Sequence, residues 1–198
     1  KVENDEKLSF YSSVIRTEQA KLNEKVGKLL KTDFALIDKS QVIEEIDAGE
    51  AAENIAETFR VQVEQKGGKL TVEKAGHRFT VTGNADLFYI ALGNLVDNAV
   101  KYSGQPPEIL AKLGSKDNRL VIEIVDNGPG IAREFREKVF EKYFRVPAGN
   151  THNADGFGLG LYQVRGIISG MKGNIRISNM KEGGLAVTID LPLAPGNE

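Results

Sequence analysis

A chain of 198 residues with 40% hydrophobic and 27% charged side chains carries enough apolar material for one large domain, or one domain with an appendage. Its net charge of −2 supplies no basic footprint for nucleic acid or for an anionic membrane surface. The absence of cysteine excludes disulfides, thiolate zinc sites and cysteine nucleophiles, and two distant histidines, His77 and His152, argue against a paired-histidine metal site or triad.

Residues 1–33 hold no proline and one glycine, and Leu8, Ile15, Leu22 and Leu29 recur every seven residues. That period predicts an amphipathic helix with a bundle seam, interrupted at Glu18, that projects toward a partner chain. The first ten residues, KVENDEKLSF, lack the apolar stretch of a signal peptide, and no run approaches the roughly 20 apolar residues of a membrane helix. From residue 41, VIEEID reads as a short strand and AGEAAENIAETFRVQVEQKG as a helix ending at Gly67–Gly68. KLTVEK and HRFTVTG read as two strands around a turn at Gly76, and Asn84 as the N-cap of a helix running to about Tyr102. EILAKLG and RLVIEIVD are further strands. A polar, glycine-bearing stretch covers about 145–156, a helix runs from Leu159 to Ile168, and GNIRISN and LAVTIDLP close the chain as strands. Helices interspersed with strands in this order predict an α/β sandwich, one layer of helices on one mixed sheet.

Three segments carry candidate chemistry. On the helix ending near Tyr102, Phe88, Leu92, Leu95 and Ala99 form the core stripe, while Asn94, Asn98 and Lys101 share another face. Two amide oxygens beside an ammonium suit a hydrated Mg²⁺ and the phosphates it bridges, although an ordinary solvated face has the same composition. In VDNGPGI, Asp126 ends a strand and can accept a hydrogen bond from an exocyclic amine, with Gly128 and Gly130 allowing backbone to approach a flat base; a plain turn fits the same letters. In DGFGLGL, Gly156, Gly158 and Gly160 precede a helix whose free N–H groups would bind phosphate, unless the cluster is only a hinge. Leu161 breaks the dinucleotide-binding pattern G-x-G-x-x-G, and no P-loop signature occurs.

Taken in order, NLVDNAVKYS, VDNGPGI, FEKYFRV, GFGLGL and the late GG-x-A-V-T-I-D-L-P resemble the N, G1, F, G2 and G3 boxes of sensor histidine kinases, over about residues 41–193. These boxes define the Bergerat ATP-binding fold, shared with DNA gyrase B and the MutL ATPases. FYSSVIRTEQAKLNEKVGKLL is similar to part of the dimerisation helix of such kinases, which divides the chain into a bundle-helix remnant at 1–34 and a catalytic domain at 41–193 with an ATP lid at about 145–156. The resemblance implies ATP and Mg²⁺ as cofactors, Asn98 as the metal ligand and Asn94 near the phosphates. It implies Lys101 on phosphate oxygens, Tyr102 against the nucleotide, and Asp126 on the adenine amine in a pocket shaped by Gly128 and Gly130. Arg145 would reach the phosphates or the acceptor domain, Gly156, Gly158 and Gly160 would bound the lid, and Thr188 would join the hydrogen-bond network at the adenine. Tyr102, Arg145 and Thr188 enter through the resemblance alone.

Relatives place their phosphoacceptor on a helix with an H-E-L-R-T-P-like motif, and none occurs here; His77 and His152 read as solvated surface. The resemblance therefore implies a histidine kinase catalytic part acting on a separate acceptor helix, homodimeric in its full length, paired with a response regulator and lying on the cytoplasmic side of a membrane sensor. Hydrolysing relatives carry glutamate four residues before the metal-binding asparagine, where this chain has Asn94, an amide unable to act as base. The remaining alternatives are a regulatory nucleotide-binding module without turnover and a serine kinase of the anti-sigma-factor type.

Overall fold

A computed structural model describes residues 42–147 and 157–195. The expected bundle helix at 1–34 and the lid residues 148–156, Gly156 and His152 among them, lie outside the described residues.

Strand β1 (Glu44–Asp47) runs into helix α1 (Ala48–Gln65), and Asp47 makes the switch. Its Oδ1 accepts from the backbone N–H groups of Gly49 and Glu50 at 2.7 and 3.0 Å, satisfying donors that the first helical turn leaves open. The buried residues of α1 are small (Ala48, Gly49, Ala51, Ala52, Ala56 and Val63), so the helix backbone lies close to its neighbours. Helix α1 stops where Gly67 turns left-handed at φ +72° and Gly68 N–H returns to the Val63 carbonyl.

Strand β2 (Lys69–Ala75) and strand β3 (Thr80–Gly83) flank a turn containing Gly76 at φ +110°. They do not form a hairpin. β3 pairs antiparallel with β1, whereas β2 pairs parallel with strand β4 (Glu108–Lys116). Sequence pattern marks both strands but carries no information on which partner each meets. The segment before β3 is drawn away from β2 by tertiary hydrogen bonds: Phe79 C=O accepts from Ala48 N–H, and Arg78 Nη2 donates to the Ala194 carbonyl.

Helix α2 (Ala85–Tyr102) is capped by Asn84, whose Oδ1 accepts from Leu87 N–H at 2.9 Å. Strand β5 (Arg119–Asp126), helix α3 (Gly160–Gly170), strand β6 (Asn174–Asn179) and strand β7 (Leu185–Pro192) complete the domain. The main sheet has the order β2-β4-β5-β7-β6, with β2–β4 parallel and the other neighbours antiparallel, and β1–β3 form a separate two-stranded ribbon. Ile109, Ala111 and Leu113 of β4, Leu120, Ile122 and Ile124 of β5, and Val187, Ile189 and Leu191 of β7 are buried with the α2 stripe Phe88, Leu92, Leu95 and Ala99. The opposite face carries a cross-strand row, Glu73, Lys112, Glu123, Thr188 and Arg176, in which opposite charges adjoin. The architecture is thus helices on a mixed sheet, as the alternation of elements predicts.

Candidate functional site

Burying Phe88, Leu92, Leu95 and Ala99 fixes the rotation of α2, and the neighbouring positions 94, 97, 98 and 101 then occupy its next face. Asn94 and Asn98 are half-buried there. Lys101 is exposed and its ammonium pairs with the Asp97 carboxylate one turn back, a partner that the i, i+4 spacing already offered. Asn94 Nδ2 donates to Gln163 Oε1 at 3.1 Å, tying α2 to the first turns of α3.

Across from the asparagines stands the start of α3. A Cβ built on Gly160 would lie 3.6 Å from Asn98 Nδ2 and 3.8 Å from Asn94 Oδ1. The N-cap residue of α3, Leu159, has no side chain able to cap, so the N–H groups of the first turn keep their capacity to donate. Helix N-terminal donors facing the Asn94 oxygen and the Asn98 amide, which turns its nitrogen toward Gly160, suit a polyanion carrying a partly hydrated cation. No group of three or more His, Cys, Asp or Glu side chains that could hold a metal occurs among the described residues. A magnesium ion would fit here on the Asn94 oxygen, and on Asn98 once its amide turned to present oxygen, and would supply positive charge beside phosphate.

Asp126 ends β5 on the core side of the sheet and is 7% exposed. Burial pushes its carboxyl above the ordinary carboxylate range, while hydrogen bonds from the backbone N–H groups of Gly128 and Leu185 pull it back. The Gly128 bond, to Oδ1, is 2.8 Å. Backbone crowding around this carboxylate requires glycine twice: a Cβ on Gly128 would lie 2.2 Å from the Tyr102 carbonyl oxygen, and one on Gly184, at φ +107°, would lie 2.1 Å from the Asp126 carbonyl oxygen. Asn127, which reads in the sequence only as a turn residue, holds the loop after α2: its Oδ1 accepts from Gly104 and Glu108 N–H, and its Nδ2 donates to Pro106 C=O. Gly130 lies against the Asn179 side chain, whose Oδ1 accepts from Ile131 N–H.

The segment after Asp126 returns to α3 through residues 131–147. Arg165 of α3 donates to the Phe140 carbonyl at 2.9 Å and lies over the Phe140 ring. Tyr143, at φ +68°, donates its N–H to the Gly158 carbonyl, so the two ends of the 145–156 stretch are joined at its base. Arg145 is exposed on this segment.

The structure therefore gathers Asn94, Asn98 and Gly160 on facing elements, sets Tyr102 and Gly128 in backbone contact beside Asp126, and fastens Gly158 to the turn before Arg145. Thr188 is not brought to Asp126. The β5–β7 register pairs Asp126 with Leu185 and Thr188 with Glu123, three residues along and on the opposite face of the sheet. The Thr188 hydroxyl is 3.5 Å from Glu123 Oε1, about 10 Å of strand away from the Asp126 position. Gln163 and Asn179 are contributors that sequence reasoning missed, because each meets its partner from a distant part of the chain.

This arrangement has counterparts in known proteins. Residues 83–195, from β3 to the end of β7 and just beyond, match the family described as histidine kinase-, DNA gyrase B-, and HSP90-like ATPase. The sensor protein RprX of Bacteroides fragilis is 36% identical over 188 residues, which cover 92% of this chain and 36% of that protein. The sensor histidine kinase CpxA of Escherichia coli is 30% identical over 179 residues, 90% of this chain and 39% of that protein. The chain thus spans little more than a third of the length of these relatives. Among solved structures, a mycobacterial sensor histidine kinase, MprB, superposes with a TM-score of 0.67 at 28% identity, over 78% of this chain and all of that one. With a family match covering more than half of its length and a fold shared with a histidine kinase domain, the chain belongs to the histidine kinase-, DNA gyrase B- and HSP90-like ATPases.

Proposed function

We propose that this chain is the ATP-binding catalytic domain of a two-component sensor histidine kinase, transferring the γ-phosphate of ATP to a histidine on a separate acceptor helix. The observation that carries the reading is the facing pair: Asn94 and Asn98 on α2 opposite the uncapped start of α3, with the buried Asp126 carboxylate at the end of β5. Asp126 accepts from the adenine amine and, by the same chemistry, disfavours guanine, which presents a carbonyl at that place. Tyr102 lies against the nucleotide, and Gly128 and Gly130 allow the base its close approach. The first N–H groups of α3, after Gly156, Gly158 and Gly160, donate to phosphate oxygens. Asn98, with Asn94 beside it, would hold Mg²⁺, which would supply positive charge to offset that of the phosphates. Lys101 leaves Asp97 for a phosphate oxygen, an exchange of one partly exposed ionic partner for another. Arg145 adds positive charge at the mouth of the lid.

Phosphoryl transfer asks the protein mainly for position and charge compensation, and this set supplies both without a catalytic base. Asn94 at the position of a hydrolysing relative's glutamate favours transfer over hydrolysis, because a neutral amide cannot take a proton from water. The sensor and histidine kinase names of the relatives at 36% and 30% identity support the same assignment; a response regulator and a second copy of the full-length parent are the partners this reading assigns. No helix among the described residues is long and apolar enough to cross a membrane. We place the domain on the cytoplasmic side of a membrane-anchored parent, where ATP is available. Isothermal calorimetry with ATP and Mg²⁺ tests the reading: micromolar to millimolar binding lost in Asn98→Ala supports it, and unchanged affinity in that variant refutes the asparagine assignment.

A further inference from the structure

The contact between Asn94 and Gln163 has no role in the assignment so far, and its chemistry is directional. An asparagine amide on an exposed-to-buried boundary has two nearly isosteric orientations, one presenting oxygen to a ligand and one presenting two N–H donors. Only the first binds a cation. In this protein Nδ2 of Asn94 donates to Gln163 Oε1 at 3.1 Å, and Asn94 Oδ1 lies on the side of Gly160, 3.8 Å from where a Cβ on that residue would be. Gln163 stands on the first turn of α3, where its backbone N–H donates to the Leu159 carbonyl at 2.9 Å, and both side chains are half-buried between α2 and α3.

We infer that Gln163 is a positioning residue that locks the amide of Asn94 with its oxygen toward the metal and phosphate side of the site. The inference rests on the nucleotide-binding role proposed above and deepens it. Gln163 itself contacts neither base nor phosphate. It acts through Asn94 by accepting from Nδ2, so that the Asn94 amide cannot turn unless the Gln163 amide turns with it. The side chain belongs to α3, whose N-terminus faces the phosphates, so the same helix that donates to the anion also orients the oxygen that faces the cation.

The test is a double-mutant cycle on the full chain. ATP affinity is measured by calorimetry at saturating Mg²⁺ and in EDTA for the wild type, Gln163→Leu, Asn94→Ala and the double variant. Gln163→Leu keeps the size and removes the acceptor; Gln163→Met, unbranched and apolar, serves as its replacement if the leucine variant fails to fold as judged by thermal melting. The expected result is a loss of about 5- to 10-fold in the Mg²⁺-dependent affinity of Gln163→Leu, in keeping with one neutral hydrogen bond. Affinity in EDTA stays within about twofold, and the loss disappears in the Asn94→Ala background, as two residues acting as one unit require. Wild-type binding with an unaffected Gln163→Leu, with equal losses in Mg²⁺ and EDTA, or with losses that add to those of Asn94→Ala overturns this inference and leaves the functional proposal standing. No MgATP binding by the wild type overturns both.

Discussion

Asp126 is buried and its carboxyl is held by two backbone donors, a combination that favours ligand recognition over stability. Because burial raises its folded-state pKa above the unfolded value, Asp126 contributes stability at low pH, below the unfolded pKa, and that contribution is lost as pH rises through the folded pKa. Asp126→Asn removes this penalty while Oδ1 still accepts from Gly128 N–H. The variant is therefore expected to melt at neutral pH no lower than the wild type. Its ATP affinity should fall about 10- to 100-fold, since an amide N–H then faces the adenine amine and a hydrogen bond to a charged group, worth roughly 1.5–3 kcal/mol, is lost. Parallel losses of melting temperature and affinity would show that the carboxylate serves the fold instead. In the wild type the acceptor disappears as pH falls through a pKa raised above the ordinary value. ATP binding should therefore weaken on acidification at a higher pH than an ordinary aspartate permits, and Asp126→Asn should flatten that profile. A profile that is the same in both proteins would assign the titration elsewhere.

Elements meet the site through their ends: the C-terminus of β5, the C-terminal half of α2 and the N-terminus of α3. Two side chains or backbone joints set how those ends are held. Gly158, at φ +67°, joins the lid base to α3, and a Cβ there would lie 2.4 Å from the Phe144 carbonyl oxygen. Gly158→Ala should cost about 1–2 kcal/mol from the left-handed backbone alone, plus the displacement of residues 143–144 that the clash forces. Denaturant unfolding should report the loss, and ATP affinity should drop with it; an unchanged midpoint would show that the turn relaxes freely. On the neighbouring joint, Arg165→Met keeps the aliphatic stem against α3 but removes the donor to the Phe140 carbonyl. Amide exchange in residues 135–144 should accelerate in that variant while the β4 and β5 strands keep wild-type protection, and uniform protection throughout would contradict a role in fastening this segment.

At the scale of the molecule, the elements and the layer architecture follow from local pattern. The strand RLVIEIVD and its end at Asp126, the core stripe of α2 and the Asn84 cap are written in alternation, 3.6-residue period and side-chain chemistry, and each is found where that chemistry puts it. Pairing is not written there. The two strands around Gly76 look like a hairpin locally, yet they belong to different sheets. Thr188 fails for the same reason: its distance from Asp126 depends on the β5–β7 register, which neither strand encodes alone, and the register sets Leu185 beside Asp126. Gln163 and Asn94 are 69 residues apart, and only the packing of α3 on α2 makes them partners.

The chain has two histidines, one of them exposed between β2 and β3 and the other within 148–156, and none in residues 1–33. In-line transfer needs an imidazole held close to the γ-phosphate, and the proposed function assigns that imidazole to a separate acceptor segment. Incubation with labelled ATP and Mg²⁺, with and without a separate fragment bearing the acceptor histidine, measures this directly. Acid-labile label is expected on the fragment alone, abolished by Asn98→Ala in the catalytic chain and absent when the fragment is omitted. Label on the isolated chain that disappears in His152→Ala, or a fragment that stays unlabelled beside a chain that binds ATP, would contradict it.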